Sequence, residues 1–197
     1  MLTTVIIFNF YFIKTNTDSE LVYNPPTKVI TEQDKFTEGN NSETKQLIWE
    51  ISTKKGIDPN YVLGICMIET GGTLNTKCQG VETYCGRAKG IMQIVPVLQK
   101  DLGIQDIWNP RQNIEGGTTH LKYLMELYST LKIYDEDDNI METKYVSAIA
   151  YNWGQGNVSR MLKKYNCIVI SRLPYETRRY YRLIKSHCSG KDIGIEL

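Results

Sequence analysis

The sequence predicts a mainly α fold built from many short to medium helices. Three observations carry that expectation. Apolar residues recur three and four positions apart in most segments after residue 42, helix start and stop residues bracket several of these segments, and alternating strand patterns are nearly absent. The 197 residues can bury one sizeable core, and no internal repeat divides them.

Residues 1–20 contain an apolar run from Val5 to Ile13, well short of the roughly 20 apolar residues that cross a bilayer. Its length fits a secretory signal, but Lys14 follows the run, no basic residue precedes it, and no small-x-small cleavage site is seen. A signal or its remnant, a first element of the fold, and a misplaced start codon stay open as readings. Residues 21–41, polar and carrying Pro25-Pro26, read as a linker or arm. One domain is expected over 42–186, followed by a tail over 187–197.

Within the domain, Ser42 is expected to cap a helix with Leu47, Ile48 and Ile51 on one face, and Gly56 to stop it. The next segment, "DPNYVLGICMIETGG", is the clearest helix: Asp58 at the N-cap, Pro59 at the first helical position, Gly71-Gly72 past the end. "IVPVLQKDLG" predicts a short helix ending near Gly103, and "RQNIEGGTTHLKYLMELYSTL" places Ile114, Leu121, Leu124, Met125 and Tyr128 at helical spacing. After the acidic connection "YDEDDNIMETKY", helices are expected in "KYVSAIAYNWG", "VSRMLKKYN" and "LPYETRRYYRLIKS", the last with Tyr180, Leu183 and Ile184 inward. Only short pieces such as "CIVI" are strand-like.

A formal net charge of +1 creates no strong field, so nucleic acid is not an expected partner. Of the five cysteines, Cys78 and Cys85 flank a polar loop and Cys167 and Cys188 bracket the last apolar stretch. Two disulfides with Cys66 left over would suit an oxidising compartment; reduced thiols packed as small apolar groups is the competing reading. No metal site or cofactor is expected: no CxxC pair occurs, and His120 and His187 are the two histidines. The run Asp135 to Asp138 lacks the central glycine and terminal glutamate of a calcium loop and reads as solvated.

Glu69 is the residue that asks for chemistry. Val62, Ile65 and Cys66 precede it by seven, four and three positions, so the carboxylate shares their apolar helix face. Burial there disfavours the charged form and raises the pKa, as a proton donor near neutral pH requires. A core glutamate satisfied by a C-terminal arginine would have the same placement.

Glu69 has company in "IETGG", "GIMQI" (Gly90 to Ile94), "NPRQNIEGGTTHLKYL", "AYNWGQG" (Ala150 to Gly156) and "LPYETRRYY", in that order. Together these motifs resemble the soluble lytic transglycosylases of the lysozyme superfamily, related to goose-type lysozyme, over roughly residues 43–185. The resemblance implies a lysozyme-like multi-helix domain with a substrate groove, exported to the periplasm or secreted, that cleaves the bond between N-acetylmuramic acid and N-acetylglucosamine in peptidoglycan. Glu69, with Thr70 in place of the family's serine, is then the sole catalytic acid and base. The resemblance further implies that the Tyr151 hydroxyl holds that carboxyl and that Gln93 lines the sugar groove; for Met92, contact with substrate and a place in the core are both open readings. It has Asn152 bind an N-acetyl group and Glu176 add a second acidic lining, although Glu176 can equally pair with Arg179. Trp153 and Tyr84 can stack on sugar faces or simply pack.

The sequence departs from the family in a short insertion after Glu69 that carries Cys78 and Cys85. Two other functions compete: a hydrolytic muramidase using a further carboxylate such as Asp101 or Glu82, and a non-catalytic peptidoglycan-binding module. A monomer is expected. Expected partners are glycan strands and, depending on the setting, a secretion, conjugation, pilus or phage machine. Lys163, Lys164, Arg178 and Arg179 read as an exposed face that can also help hold the anionic wall polymer.

Overall fold

The computed structural model describes residues 38–82 and 85–190, with side chains from Ser42 onward. The apolar N-terminal segment, most of the expected linker, Tyr84 and residues 191–197 lie outside the described residues. Seven α-helices are found among the described ones: α1 (Glu38–Lys55), α2 (Pro59–Glu69), α3 (Pro96–Gln99), α4 (Pro110–Ser129), α5 (Thr143–Trp153), α6 (Gln155–Tyr165) and α7 (Tyr175–Cys188), with a 3-10 turn at Ile170–Arg172. The mainly α expectation holds.

Two local expectations need correction. Ser42 lies inside α1 instead of capping it, because helical backbone begins at Glu38 and no proline occurs between Pro26 and Pro59 to stop it. "CIVI" contributes no strand: Ile168 makes one isolated parallel bridge to Asp135, and the chain turns into the 3-10 element at Ile170.

Helix α5 is the centre of the packing, touching α4, α6 and α7, while α2 packs on α1 and α7. Its six consecutive residues from Tyr145 to Ala150 are all buried, which a helix surrounded by others requires. Ser147 is the polar member of that run, and it donates its hydroxyl to the Thr143 carbonyl one turn back. Helix α4 buries the predicted Ile114, Leu121, Leu124 and Tyr128, and adds Gly116 and Gly117 to the same face. The two glycines are needed for close approach. A Cβ on Gly117 would lie 2.5 Å from Met92 Sδ, and one on Gly116 would lie 2.5 Å from Ile104 Cδ1.

Between α2 and α3 the inserted segment folds back on itself, with Gln79 bridging Lys89 and Lys89 in turn bridging Ile94. Gly90 N–H donates to the Cys78 carbonyl at 2.9 Å, so Cys78 sits opposite Gly90 and Cys85 is left at the loop's far end. That register explains why the expected Cys78–Cys85 bridge does not form. The thiols of Cys66, Cys85, Cys167 and Cys188 are all free, which removes the Cys167–Cys188 pairing as well. Cys188 instead feels the charges of Lys144, Asp58 and Glu142, near the starts of α5 and α2. Among the described residues no helix is long and apolar enough to cross a membrane.

Candidate active site

Helix α2 starts as its sequence demands, with the Asp58 carboxylate accepting from Asn60 N–H at 2.9 Å and Pro59 in the first turn. It ends at Glu69, where a tight turn takes over. Gly71 and Gly72 have φ of 61° and 84°, and Gly72 N–H returns to the Met67 carbonyl at 2.6 Å. Thr70 pins this end: its buried hydroxyl donates to the Cys66 carbonyl at 2.8 Å and accepts from Leu74 N–H at 2.9 Å. The last side chain of the helix is thereby held in a single direction.

Val62, Ile65 and Cys66 are fully buried below Glu69, as their spacing predicts. The glutamate as a residue keeps partial exposure, yet its carboxyl is enclosed by protein. Burial pushes its pKa from 4.5 up to about 7; a hydrogen bond from Tyr180 pulls it down, and the charge of Glu176 adds to the rise. The carbonyl end of α2 further disfavours a negative charge at this position.

The hydroxyl of Tyr180 donates to Glu69 Oε1 at 2.9 Å. Burial holds the Tyr180 phenol well above its usual range, so it stays a neutral donor. Removing that donor should raise the Glu69 pKa further. Tyr180→Phe is accordingly expected to move the alkaline limb of the pH–rate profile upward and to lower kcat by about tenfold; an unmoved limb would show that the bond does not tune the acid.

The expected role of Tyr151 is therefore corrected. Its hydroxyl donates to the Met92 carbonyl at 2.8 Å, not to Glu69, although the glutamate's charge is felt at its phenol. Tyr151 ties the Gly90–Ile94 turn to α5, and Tyr180 holds the carboxyl. Tyr180 was singled out in the sequence as an inward-facing residue of α7; nothing local marked its hydroxyl as the one that reaches α2.

Of the two readings open for Met92, it takes the core position. It has no exposed surface, its sulfur receives the Thr118 hydroxyl at 3.7 Å, and it fills the space left by Gly117. The turn around it is held by Asn113, a residue that sequence reasoning missed. Asn113 Oδ1 accepts from Met92 N–H at 2.9 Å, while Nδ2 donates to the carbonyls of Lys89 and Ile107 at 3.0 Å each. A polar residue next to Ile114 on the buried face of a helix was the available signal.

Residues 46–167 match the Transglycosylase SLT domain family, more than half of the chain. The chain belongs to that family. Similar curated proteins include a "Transglycosylase" of Enterobacteria phage PRD1, 32% identical over 42% of this chain and 29% of its own length. Another is the membrane-bound lytic murein transglycosylase C of Glaesserella parasuis serovar 5 (strain SH0165), 28% identical over 64% of this chain and 35% of that protein. Among solved structures, the 70 kDa soluble lytic transglycosylase SLT70 of Escherichia coli aligns over 72% of this chain at TM-score 0.54 and 24% identity. An inactive Glu-to-Gln mutant of the lytic transglycosylase Slt of Pseudomonas aeruginosa aligns over 73% at TM-score 0.53 and 20% identity. These two likenesses concern the fold. The chain spans about a third of its curated relatives and 23% of each solved chain.

The other positions expected from the SLT resemblance divide. Gln93 sits at φ 47°, and its Nε2 is occupied by the Gly90 carbonyl at 2.7 Å and the Cys78 carbonyl at 3.1 Å, so the amide braces the inserted loop. Asn152 is partly exposed and its amide makes no hydrogen bond among the described residues, leaving it available to a ligand. Glu176 is exposed on the first turn of α7 and makes no ion pair with Arg179 among the described residues; its charge instead reaches Glu69. Trp153 packs against the core. Glu82 is exposed and pairs with Arg87 at 3.3 Å, and Asp101 is exposed beyond α3. No group of three or more His, Cys, Asp or Glu side chains suited to a metal occurs among the described residues.

Proposed function

We propose that the chain is a peptidoglycan lytic transglycosylase in which Glu69 is the single general acid and base. The observation that supports this reading most directly is the carboxyl itself: enclosed at the end of α2, raised to about 7, and held by a neutral phenol. A group with that pKa is divided about evenly between acid and carboxylate at neutral pH, so it can give up and recover a proton at little cost.

Glu69 protonates the glycosidic oxygen between N-acetylmuramic acid and N-acetylglucosamine. The adjacent acetamido oxygen helps stabilise the positive charge at the sugar, and Asn152, whose amide makes no hydrogen bond among the described residues, is suited to orient such a group. The Glu69 carboxylate then takes the proton from the muramic acid's own 6-hydroxyl, which closes a 1,6-anhydro ring and restores the acid. No water enters the reaction. Tyr180 keeps Oε1 in one direction through both transfers, and Glu176 opposes early loss of the proton. Export to the periplasm or cell exterior follows from the substrate.

The alternative of a hydrolytic muramidase finds support in Glu176, a second carboxylate within electrostatic reach of Glu69. Mass analysis of the products released from purified sacculi separates the two reactions. Anhydro-muropeptides, one water lighter than hydrolytic products, are expected; reducing-end muropeptides would favour the muramidase, and binding without soluble product the non-catalytic module.

A further inference from the structure

The formal net charge of +1 hides an uneven division of charge along the chain. Between Ser42 and Glu142 acidic residues outnumber lysine and arginine by fourteen to ten; between Thr143 and Gly190 there are nine lysines and arginines and one acid, Glu176. The ion pairs found among the described residues involve Arg87, Arg111 and Lys144, so the other eight cations of the later segment make none.

Helix α7 concentrates these cations on one side. Its buried residues are Thr177, Tyr180, Tyr181 and Ile184, and it packs against α2 and α5. At roughly 3.6 residues per turn, Tyr175, Arg178, Arg179, Arg182 and Lys185 share an arc of about 120° opposite the buried residues. All of them except Arg178 are exposed, Tyr175 by 70%. Glu176 falls outside this arc, on the side of Tyr180, where its charge reaches Glu69.

The basic face continues beyond α7. Arg178 Nη1 donates to the Ser171 carbonyl at 3.3 Å, which fastens the helix to the 3-10 turn. Next to Ser171, the Arg172 guanidinium lies 5.3 Å from the centroid of the Tyr165 ring, and Lys164 Nζ lies 5.1 Å from the same centroid. Like charges are thus held side by side, a cost that nearby acids offset only in part. The Glu136 carboxylate is engaged by the N–H groups of Ile170 and Ser171, and that of Asp135 by those of Asp137 and Asn139. Asp135 feels the charge of Lys185, yet the two form no ion pair.

Arg172, Arg178, Arg179 and Arg182 bring planar forks that fit phosphate oxygens. The α7 side presents its cations along a line about 15 Å long, which a plane of phosphates can meet at every point. Tyr175 adds an amphipathic ring suited to the headgroup level of a bilayer. The outer arc and Tyr180 point to opposite sides of α7, so a strand lying against Glu69 does not run along this face. We propose that the outer face of α7, continued by Arg172 and Lys164, docks the domain on a bilayer containing anionic phospholipid. The helix lies on the surface without entering it, because its outer arc is charged apart from Tyr175. This docking is independent of the reaction at Glu69.

The test mixes the full chain with sucrose-loaded vesicles of phosphatidylcholine, alone or with one third phosphatidylglycerol, and measures the protein that sediments. Binding to the anionic vesicles, none to phosphatidylcholine, and release by about 0.5 M salt are expected. Arg179→Gln with Arg182→Gln should weaken binding by about thirtyfold. Lys45→Gln with Lys100→Gln removes the same charge from exposed positions elsewhere and should change binding by less than about threefold. Lys164→Gln with Arg172→Gln should act like the arginine pair, and decides the matter if that pair lowers the thermal midpoint. Equal weakening by the Lys45 and Lys100 pair overturns the proposal, since net charge and not this face would then set binding. Binding that ignores lipid charge overturns it too. So does a chain that stays in solution with the anionic vesicles; binding of sacculi or duplex DNA through the same arginines would then name the wall polymer or nucleic acid as the partner. Release of muropeptides from sacculi by the unmodified chain tests the catalytic reading separately.

Discussion

Glu69→Gln is expected to lose peptidoglycan cleavage by about a thousandfold and, above neutral pH, to make the protein more stable. The amide has the carboxyl's shape and still accepts the Tyr180 hydroxyl, but it has no proton to give the glycosidic oxygen and cannot take one from the 6-hydroxyl. The stability gain follows from the raised pKa. Between 4.5 and about 7 the native state holds a proton on Glu69 that the unfolded chain has released. Stability contributed by this residue is therefore complete below about 4.5 and is lost as pH rises through about 7. The displacement corresponds to about 3 kcal/mol, and the residue's partial exposure reduces it to about 2 kcal/mol. Denaturant unfolding should show the variant ahead by about that amount at pH 8 and level with the parent at pH 4. Retained activity would remove Glu69 from the mechanism, and equal stability at pH 8 would show that the carboxylate is well solvated.

Asn113→Leu is expected to cost about 4 kcal/mol of stability, since it orphans three backbone groups that are each worth roughly 1–3 kcal/mol when left unsatisfied in a protein interior. Those groups are Met92 N–H and the carbonyls of Lys89 and Ile107. Leucine is close to asparagine in size and is apolar, so burial alone predicts tolerance; the hydrogen bonds predict the opposite. The damage should extend to function, because the released segment carries the Met92 carbonyl that anchors Tyr151. Chemical denaturation measures the stability term. A cost below about 1 kcal/mol, the usual net worth of one hydrogen bond, would mean that water replaces the amide.

The helices were legible because their signals are local. Asp58, Pro59 and Gly71-Gly72 bracket α2 within one segment, and apolar spacing alone located α4 and its buried face. Glu69 was legible for the same reason: three apolar residues on its own helix say where its carboxyl points. Met92 was open between core and groove because its burial depends on Gly117, a residue of another helix that leaves room for its sulfur. Gln93 had a local cause that no pattern reveals, a positive φ that turns its amide onto the carbonyls of its own loop. The cysteine pairing failed on register, since proximity in sequence does not say which residues of a folded-back loop face each other.

By itself, the amino-acid sequence determined the helical class, the placement of a carboxyl on an apolar helix face, and the order of motifs that leads to the SLT family. These depend on periodicity, capping and identity, all carried within single segments. Only the tertiary structure decided which phenol holds Glu69 and what Asn113 supports. The hydrogen bond from Tyr180 to Glu69 joins residues 111 positions apart. Its 2.9 Å length is set by how α7 packs against α2, a relation between helices that no spacing within either one encodes.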